Sequence, residues 1–239
     1  MLGLPDGIRV CLFDLDGVLT DTAAVHKAAW AATFDPVLRA HGQQPFTEEN
    51  YEDYVDGKPR LDGVRDFLAS RGIAVPEGGP DDPQDAETVY AIGQRKNIDV
   101  VRRIREDGVE VFPGSRRYLQ AAVECGLQRI VVSSSANTGD VLSVTGLDEY
   151  IDNRVDGVTI ARTGMPGKPA PDSFLAGARL AGVPPAEAAV FEDATAGVEA
   201  GRRGDFGFVV GVNRHDDAHA AALRAHGADV VVADLGDLL

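Results

Sequence analysis

The sequence predicts an α/β fold, a parallel sheet with helices on both faces, interrupted early by an all-helical insertion. Three observations carry this. Ile8 to Phe13 is an unbroken apolar run that ends on Asp14-Leu15-Asp16-Gly17, the pattern of a fully buried strand. The next eighty or so residues carry helical periodicity and little strand signal. After Val109, strand-like runs alternate with amphipathic segments at the spacing of βαβ units. A chain of 239 residues has room for one core domain and a smaller inserted one. The expected boundaries are 1–21 with 108–239 for the core and 22–107 for the insertion.

Each element has its own signal. Thr22 to Gly42 reads as a helix capped by Asp21 or Thr22 and stopped by Gly42, with Pro36 expected to kink or divide it. Leu61 to Gly72 is a second amphipathic helix, and the Pro, Gly and Asp content of Pro76 to Asp85 marks a surface loop. Ala86 to Asp107 is a long helical pattern closed by Gly108. In the core, helices are expected at Ser115–Cys125, Thr138–Thr145, Asp172–Ala181, Ala194–Arg203 and Asp216–Gly227. Strands are expected at Arg129–Ser133, near Tyr150, at Ala188–Phe191, Phe206–Val212 and Asp229–Val232. Trp30 and Phe34, four apart, read as core of the insertion, and Arg102, Arg103 and Arg105 as a solvated helix face.

Composition limits the function. The formal net charge is −15. No basic stripe exists to neutralise phosphates, so nucleic acid and anionic membranes are not expected partners. A small phosphorylated ligand remains compatible, because a metal ion and a few local cations can reverse the field in one pocket. Cys11 and Cys125 lack ligand or redox spacing and read as reduced, buried thiols of a cytoplasmic protein. There is no secretory leader pattern and no apolar run of membrane-spanning length.

In open parallel sheets, ligands lie beyond the carboxyl ends of the strands. The residues there are Asp14 and Asp16 after the first strand, Ser133 to Ser135 after the second, and Glu192 and Asp193 after the run ending at Phe191. Lys168 stands in Gly-Lys-Pro just before a helix. Asp14 and Asp16 are two apart and can start on one face of a strand. Paired carboxylates at a buried strand end need a cation or a proton between them. The oxygen donors Asp14, Asp16, Glu192 and Asp193 suit Mg²⁺. One carboxylate can attack phosphorus while its neighbour moves protons. Ser133 and Lys168 can hold the phosphoryl oxygens as charge spreads over them. Taken singly, each has a plainer reading as a turn, a helix cap or a loop lysine. His215 and His219, four apart, could bind metal, but Asp216 and Asp217 beside them favour a solvated helix start.

Taken together and in this order, FDLDGVLTDT, VVSSSAN, GKPAPDSF and FEDATAG resemble the four motifs of the haloacid dehalogenase (HAD) superfamily of phosphotransferases. Within it, the chain is similar to the β-phosphoglucomutase branch. The resemblance implies a Rossmann-like HAD core with a small helical cap, Mg²⁺ as cofactor, and a phosphorylated sugar as the substrate of a monomer. It implies Asp14 as nucleophile, forming an aspartyl-phosphate, and Asp16 as acid and base. The metal would be held by Asp14, the main-chain carbonyl of Asp16, Asp193 and Glu192. Thr22 and His26 would couple the cap to Asp16. Arg60, after the Gly57-Lys58-Pro59 turn, would bind the substrate's far phosphate together with Ser135 and Asn137. Lys96, in the segment Arg95–Asn97, would face the substrate. There are departures: Ala136 stands where the branch carries a lysine, Lys58 stands where an apolar residue is expected and could replace that charge, and the loop Gly72–Asp85 is longer. The expected reaction interconverts β-glucose 1-phosphate and glucose 6-phosphate. The rivals are a sugar-phosphate phosphatase and a catalytically idle metal-dependent binding protein.

Overall fold

A computed structural model describes residues 2–56 and 58–239; Met1 and Gly57, the latter part of the expected turn before Arg60, lie outside the described residues. The chain forms two compact units, Met1–Thr22 with Val109–Leu239, and Ala23–Gly108. The first opens with β1 (Val10–Phe13) and β2 (Thr20–Asp21). The second holds α1 (Ala23–Ala40), α2 (Glu48–Tyr54), α3 (Arg60–Ser70) and α4 (Val89–Asp107). The first resumes with β3 (Glu110–Val111), α5 (Pro113–Glu124), β4 (Gln128–Val132), α6 (Thr138–Thr145), β5 (Asn153–Val155) and α7 (Gly157–Thr163). It ends with α8 (Asp172–Ala181), β6 (Ala188–Glu192), α9 (Thr195–Arg203), β7 (Phe208–Val212), α10 (Asp217–Ala225) and β8 (Val230–Val232).

Six strands form one parallel sheet in the order β5-β4-β1-β6-β7-β8. This is the α/β architecture that the alternating pattern predicts. Every residue of β1 is fully buried, as a central parallel strand covered on both faces requires. Val10, Leu12, Ile130, Val132, Val190 and Phe174 share one core cluster. Because β1 lies between β4 and β6, with Phe13 opposite both Val131 and Phe191, the ends of these three strands stand side by side. The chain reverses its direction of travel across the sheet at this point, which is where open α/β sheets bind ligands.

The helical unit has its own core. Phe34 and Phe67 are fully buried, with ring centroids 4.3 Å apart, and Trp30 stacks on Phe34 at 5.0 Å. Trp30 and Phe34 are therefore core, as their spacing predicts. Arg102 and Arg103 pair with Asp99, and Arg102 also with Glu106, on the outer face of α4.

Several local features differ from the sequence expectation. Helix α1 continues through Pro36 instead of dividing there. A proline inside a helix costs about 3 kcal/mol. Burial of Trp30, Phe34, Val37 and Leu38 on either side of it, at about 1.5–3 kcal/mol each, outweighs that loss. The strand expected near Tyr150 begins later: Asp148–Tyr150 is a 3-10 turn, and β5 pairs Asn153–Val155 with Ile130–Val132. Asp152 sets that register by accepting from the Arg129 amide at 2.8 Å and its guanidinium at 2.7 Å. Helices α2 and α7 carry no clear periodicity and are held by their caps. Thr47 and Asn50 form a capping box, and Asp156 accepts from the Thr159 amide at 2.8 Å. The short strands β2 and β3 form an antiparallel ribbon just before α1 and just after α4, Thr20 opposite Val111 and Asp21 opposite Glu110, which the sequence pattern does not signal. Cys11 is buried as expected, but Cys125, at the C-cap of α5, is exposed. Among the described residues, no helix is long and apolar enough to cross a membrane.

Candidate active site

The strand ends of β1, β4 and β6 gather most of the residues that the motifs single out. Asp14 directly follows β1 and is tied to its neighbour by an Asp14 amide bond to the Phe191 carbonyl, 2.9 Å. Glu192 closes β6, and Ser133 follows β4 with its amide on the Val155 carbonyl at 3.0 Å. Lys168, next to a cis peptide at Pro169, inserts its ammonium between two carboxylates. It donates to Asp14 Oδ1, to Glu192 Oε2 at 2.7 Å and to the Val132 carbonyl at 3.3 Å. Its side chain is 5% exposed, so these are interior ion pairs.

Burial governs the charges here. It pushes the Asp14 carboxyl up to about 6, Lys168 opposing and Asp16 reinforcing the rise. Burial and the charge of Asp14 push Glu192 up to about 7, against the pull of Lys168. Burial alone would lower the Lys168 ammonium, but Asp14 and Glu192 together hold it above the ordinary lysine value. Even so, the site keeps more negative charge than one lysine balances.

A cation fits that excess. Carboxylate oxygens of Asp14, Glu192 and Asp193 lie within 4.8 Å of one another. All are hard oxygen donors, the set that suits Mg²⁺. The side chain of Asp16 is not in this group. Thr22 Oγ1 donates to Asp16 Oδ1, and Ser133 Oγ donates to Asp16 Oδ2 at 3.4 Å. Thr22, the residue before α1, thus serves Asp16. Ser133 Oγ also accepts the Ser135 amide at 3.0 Å, and Ser135 Oγ accepts the Asn137 amide at 3.2 Å, a chain of bonds that shapes the loop after β4. Helix α7 packs tightly on this loop, since a Cβ on Gly157 would lie 2.4 Å from the Ser134 carbonyl oxygen.

Two glycines inside the first and fourth motifs are given no role by the sequence reading. Gly17, at φ +85°, would place a Cβ 1.8 Å from Asp193 Oδ2, and Gly197 would place one 2.1 Å from the Glu192 carboxylate. Only a hydrogen fits at either position. Gly17 follows the Asp-x-Asp pattern directly and Gly197 closes FEDATAG, so both positions could have been singled out from the motifs.

The helical unit, taken by itself, holds His26, Arg60 and Lys96. Lys96 is buried, donates to His26 Nδ1 at 2.8 Å and lies 4.8 Å over the Trp30 ring. Burial, helped by the Lys96 charge, lowers the His26 pKa well below the ordinary value and keeps the ring neutral. Arg60 opens α3 and donates to Gln94 Oε1 at 3.3 Å. Its Nε is buried without a hydrogen-bond partner among the described residues, and burial lowers its pKa. Lys58 pairs with Asp66 at 2.6 Å on the exposed surface of the helical unit.

The chain matches the family of haloacid dehalogenase-like hydrolases over residues 8–205 and belongs to that family of enzymes. It is 58% identical to a β-phosphoglucomutase of Mycobacterium bovis, over all of this chain and 94% of that one. It is 31% identical to the β-phosphoglucomutase of Bacillus subtilis, over 97% of this chain and 92% of that one. The crystal structure of a Clostridium difficile β-phosphoglucomutase superposes with a TM-score of 0.78 at 24% identity, covering 97% and 93% of the two chains, which supports the fold.

Proposed function

We propose that the protein is a Mg²⁺-dependent β-phosphoglucomutase that works through an aspartyl-phosphate on Asp14. The observation that carries this reading is that the two aspartates of the first motif sit in different surroundings. Asp14 is held by an ammonium and faces Glu192 and Asp193, whereas Asp16 is held by two hydroxyls. One stands beside an ammonium and other carboxylates, and the other beside hydroxyls that can orient it for proton exchange. The similarity to the Mycobacterium bovis and Bacillus subtilis enzymes supports the choice of sugar.

In this reading, Asp14 attacks the phosphorus and the bond from phosphorus to the sugar oxygen breaks, while Asp16 gives that oxygen a proton. Asp16 then takes the proton of the incoming sugar hydroxyl, which attacks phosphorus and releases Asp14. Thr22 and Ser133 hold the Asp16 carboxyl in place for both transfers. Lys168 and Ser133 serve the phosphoryl oxygens. Mg²⁺ bound by Asp14, Glu192, Asp193 and the Asp16 carbonyl would offset the charge that gathers on the transferring group. The helical unit is read as the cap. Its Arg60 is suited to a second phosphate, because a buried guanidinium with an unpaired Nε retains a donor for a bidentate partner. Ser135 and Asn137 are assigned to the same phosphate, and Lys96 with His26 to the substrate side of the cap.

Hydrolysis is the second reading, favoured by Ala136, which removes a cation that a sugar bisphosphate would use. The test is incubation with β-glucose 1-phosphate, Mg²⁺ and a trace of glucose 1,6-bisphosphate, following glucose 6-phosphate and free phosphate side by side. Glucose 6-phosphate is expected to dominate. Free phosphate alone would make the protein a phosphatase, and neither product would reject glucose as the sugar.

A further inference from the structure

The segment joining β7 to α10 carries none of the four motifs, yet it reaches the two loops that hold Asp16 and Asp193. Arg214 donates from Nε to the Gly17 carbonyl at 2.6 Å, from Nη2 to the Val18 carbonyl at 3.3 Å and from Nη1 to the Ala233 carbonyl at 2.9 Å. Its guanidinium lies 3.5 Å from the centre of the Phe112 ring, and the side chain is 16% exposed. Five residues on, His219 bonds through Nε2 to the main-chain carbonyl of Asp193 at 2.8 Å. A carbonyl only accepts, so Nε2 carries the hydrogen. The His219 amide is in turn fixed by the Asp216 cap at 2.9 Å, and the His215 ring packs edge-on against His219 at 4.8 Å.

These bonds complete a pattern. The Asp193–Ala194 peptide is held at its amide end by Glu192 Oε1, 3.2 Å from the Ala194 nitrogen, and at its carbonyl end by His219. The Asp16–Gly17 peptide is held at its amide end by the Thr20 carbonyl at 2.8 Å, and the next carbonyl is held by Arg214. The two loops meet where Gly17 abuts Asp193 Oδ2.

We propose that Arg214 and His219 are positioning residues of the cation site, a brace that fixes the Asp16 loop against the Asp193 loop. This rests on reading Asp14, Glu192 and Asp193 as a Mg²⁺ site. A hydrogen bond to a main-chain carbonyl sets the direction of the attached residue without touching the ion, and such outer partners typically govern affinity by about 10–100-fold.

The test is calorimetric titration of the full chain with Mg²⁺ in the absence of substrate. The wild type is compared with His219→Leu, which removes the donor, His219→Gln, which restores a donor near the same point, and Arg214→Lys, which keeps the charge but not the fork. His219→Leu is expected to weaken Mg²⁺ binding by about tenfold. His219→Gln should stay near wild type, and Arg214→Lys should fall between. Metal-free melting temperatures are measured alongside. A lowered midpoint with wild-type Mg²⁺ affinity would reduce both residues to structural ones and overturn the proposal. His219→Gln binding as weakly as His219→Leu would overturn the hydrogen-bond assignment. A wild type that binds no Mg²⁺ would instead reject the cation site itself, a separate failure.

Discussion

Replacing Lys168 by methionine isolates the electrostatic logic of the site. The ammonium is 2.7 Å from Glu192 and also pairs with Asp14, and all three side chains are buried. At an effective dielectric of about 20, one such contact is worth about 6 kcal/mol of attraction, from which the desolvation of the lysine must be subtracted. Removing one member of a buried pair costs about 3–5 kcal/mol, because the remaining charge is left uncompensated. The cluster has one relief, which is to bind a proton. Glu192 is already raised from 4.5 to about 7 and Asp14 from 3.8 to about 6 by burial, and loss of the ammonium raises both further. A carboxyl whose folded pKa is raised contributes stability that is fully present below its unfolded value and is lost as pH rises through its folded value. Each additional proton held by the folded state is worth about 1.4 kcal/mol per pH unit. The destabilisation by Lys168→Met should therefore reach about 3–5 kcal/mol near pH 8 and shrink to less than half of that near pH 5.5. Urea unfolding of wild type and variant, in the presence of a chelator at both pH values, reads this directly. An equal penalty at the two pH values, or a larger one in acid, would refute the view that Lys168 acts by compensating Asp14 and Glu192.

Two further predictions concern the cation. Protons compete with it for Glu192 and Asp14, so Mg²⁺ affinity should fall as pH is lowered through about 7 and then about 6, with protons released on binding. Calorimetry in buffers of different ionisation enthalpy measures that release, and finding none near neutral pH would contradict the assignment. Gly17→Ala forces a Cβ toward Asp193 Oδ2 from a backbone at φ +85°. It should cost about 1–2 kcal/mol in stability from the backbone alone and weaken Mg²⁺ binding as well; wild-type affinity in this variant would show that Asp193 does not need that space.

What was legible in the sequence follows from the kind of signal each feature leaves. Strands β1, β4 and β6 contain continuous apolar runs because neighbours cover them on both sides, and the residues singled out from the sequence stand at the ends of those runs: Asp14, Asp16, Ser133, Glu192 and Asp193. Helices α2 and α7 have seven residues each, too few for a period, and rest on Thr47 and Asp156 acting as caps. The β2–β3 ribbon has two residues a side, which no alternation can reveal. Pro36 misled because its local cost is visible in the sequence, whereas the aromatic packing that outweighs it is tertiary. Least legible was the reach of Arg214 and His219, whose partners are main-chain carbonyls far away in the chain. A carbonyl is common to every residue type and leaves no mark on the sequence.

The ribbon of β2 and β3 has one more consequence. The chain leaves the sheet unit after Thr22 and returns at Val109, and Asp21 and Glu110 are paired directly across the ribbon. Residues paired in this way lie about 4.5–5.5 Å apart, a gap that a two-residue hairpin turn spans. Thr22 and Val109 could form that turn. Residues 23–108 are therefore spliced in at the open end of a two-stranded ribbon that is separate from the six-stranded sheet. An insertion joined in this manner can be shortened, enlarged or exchanged for another without altering the register of β1, β4 and β6, at whose ends Asp14, Ser133 and Glu192 stand.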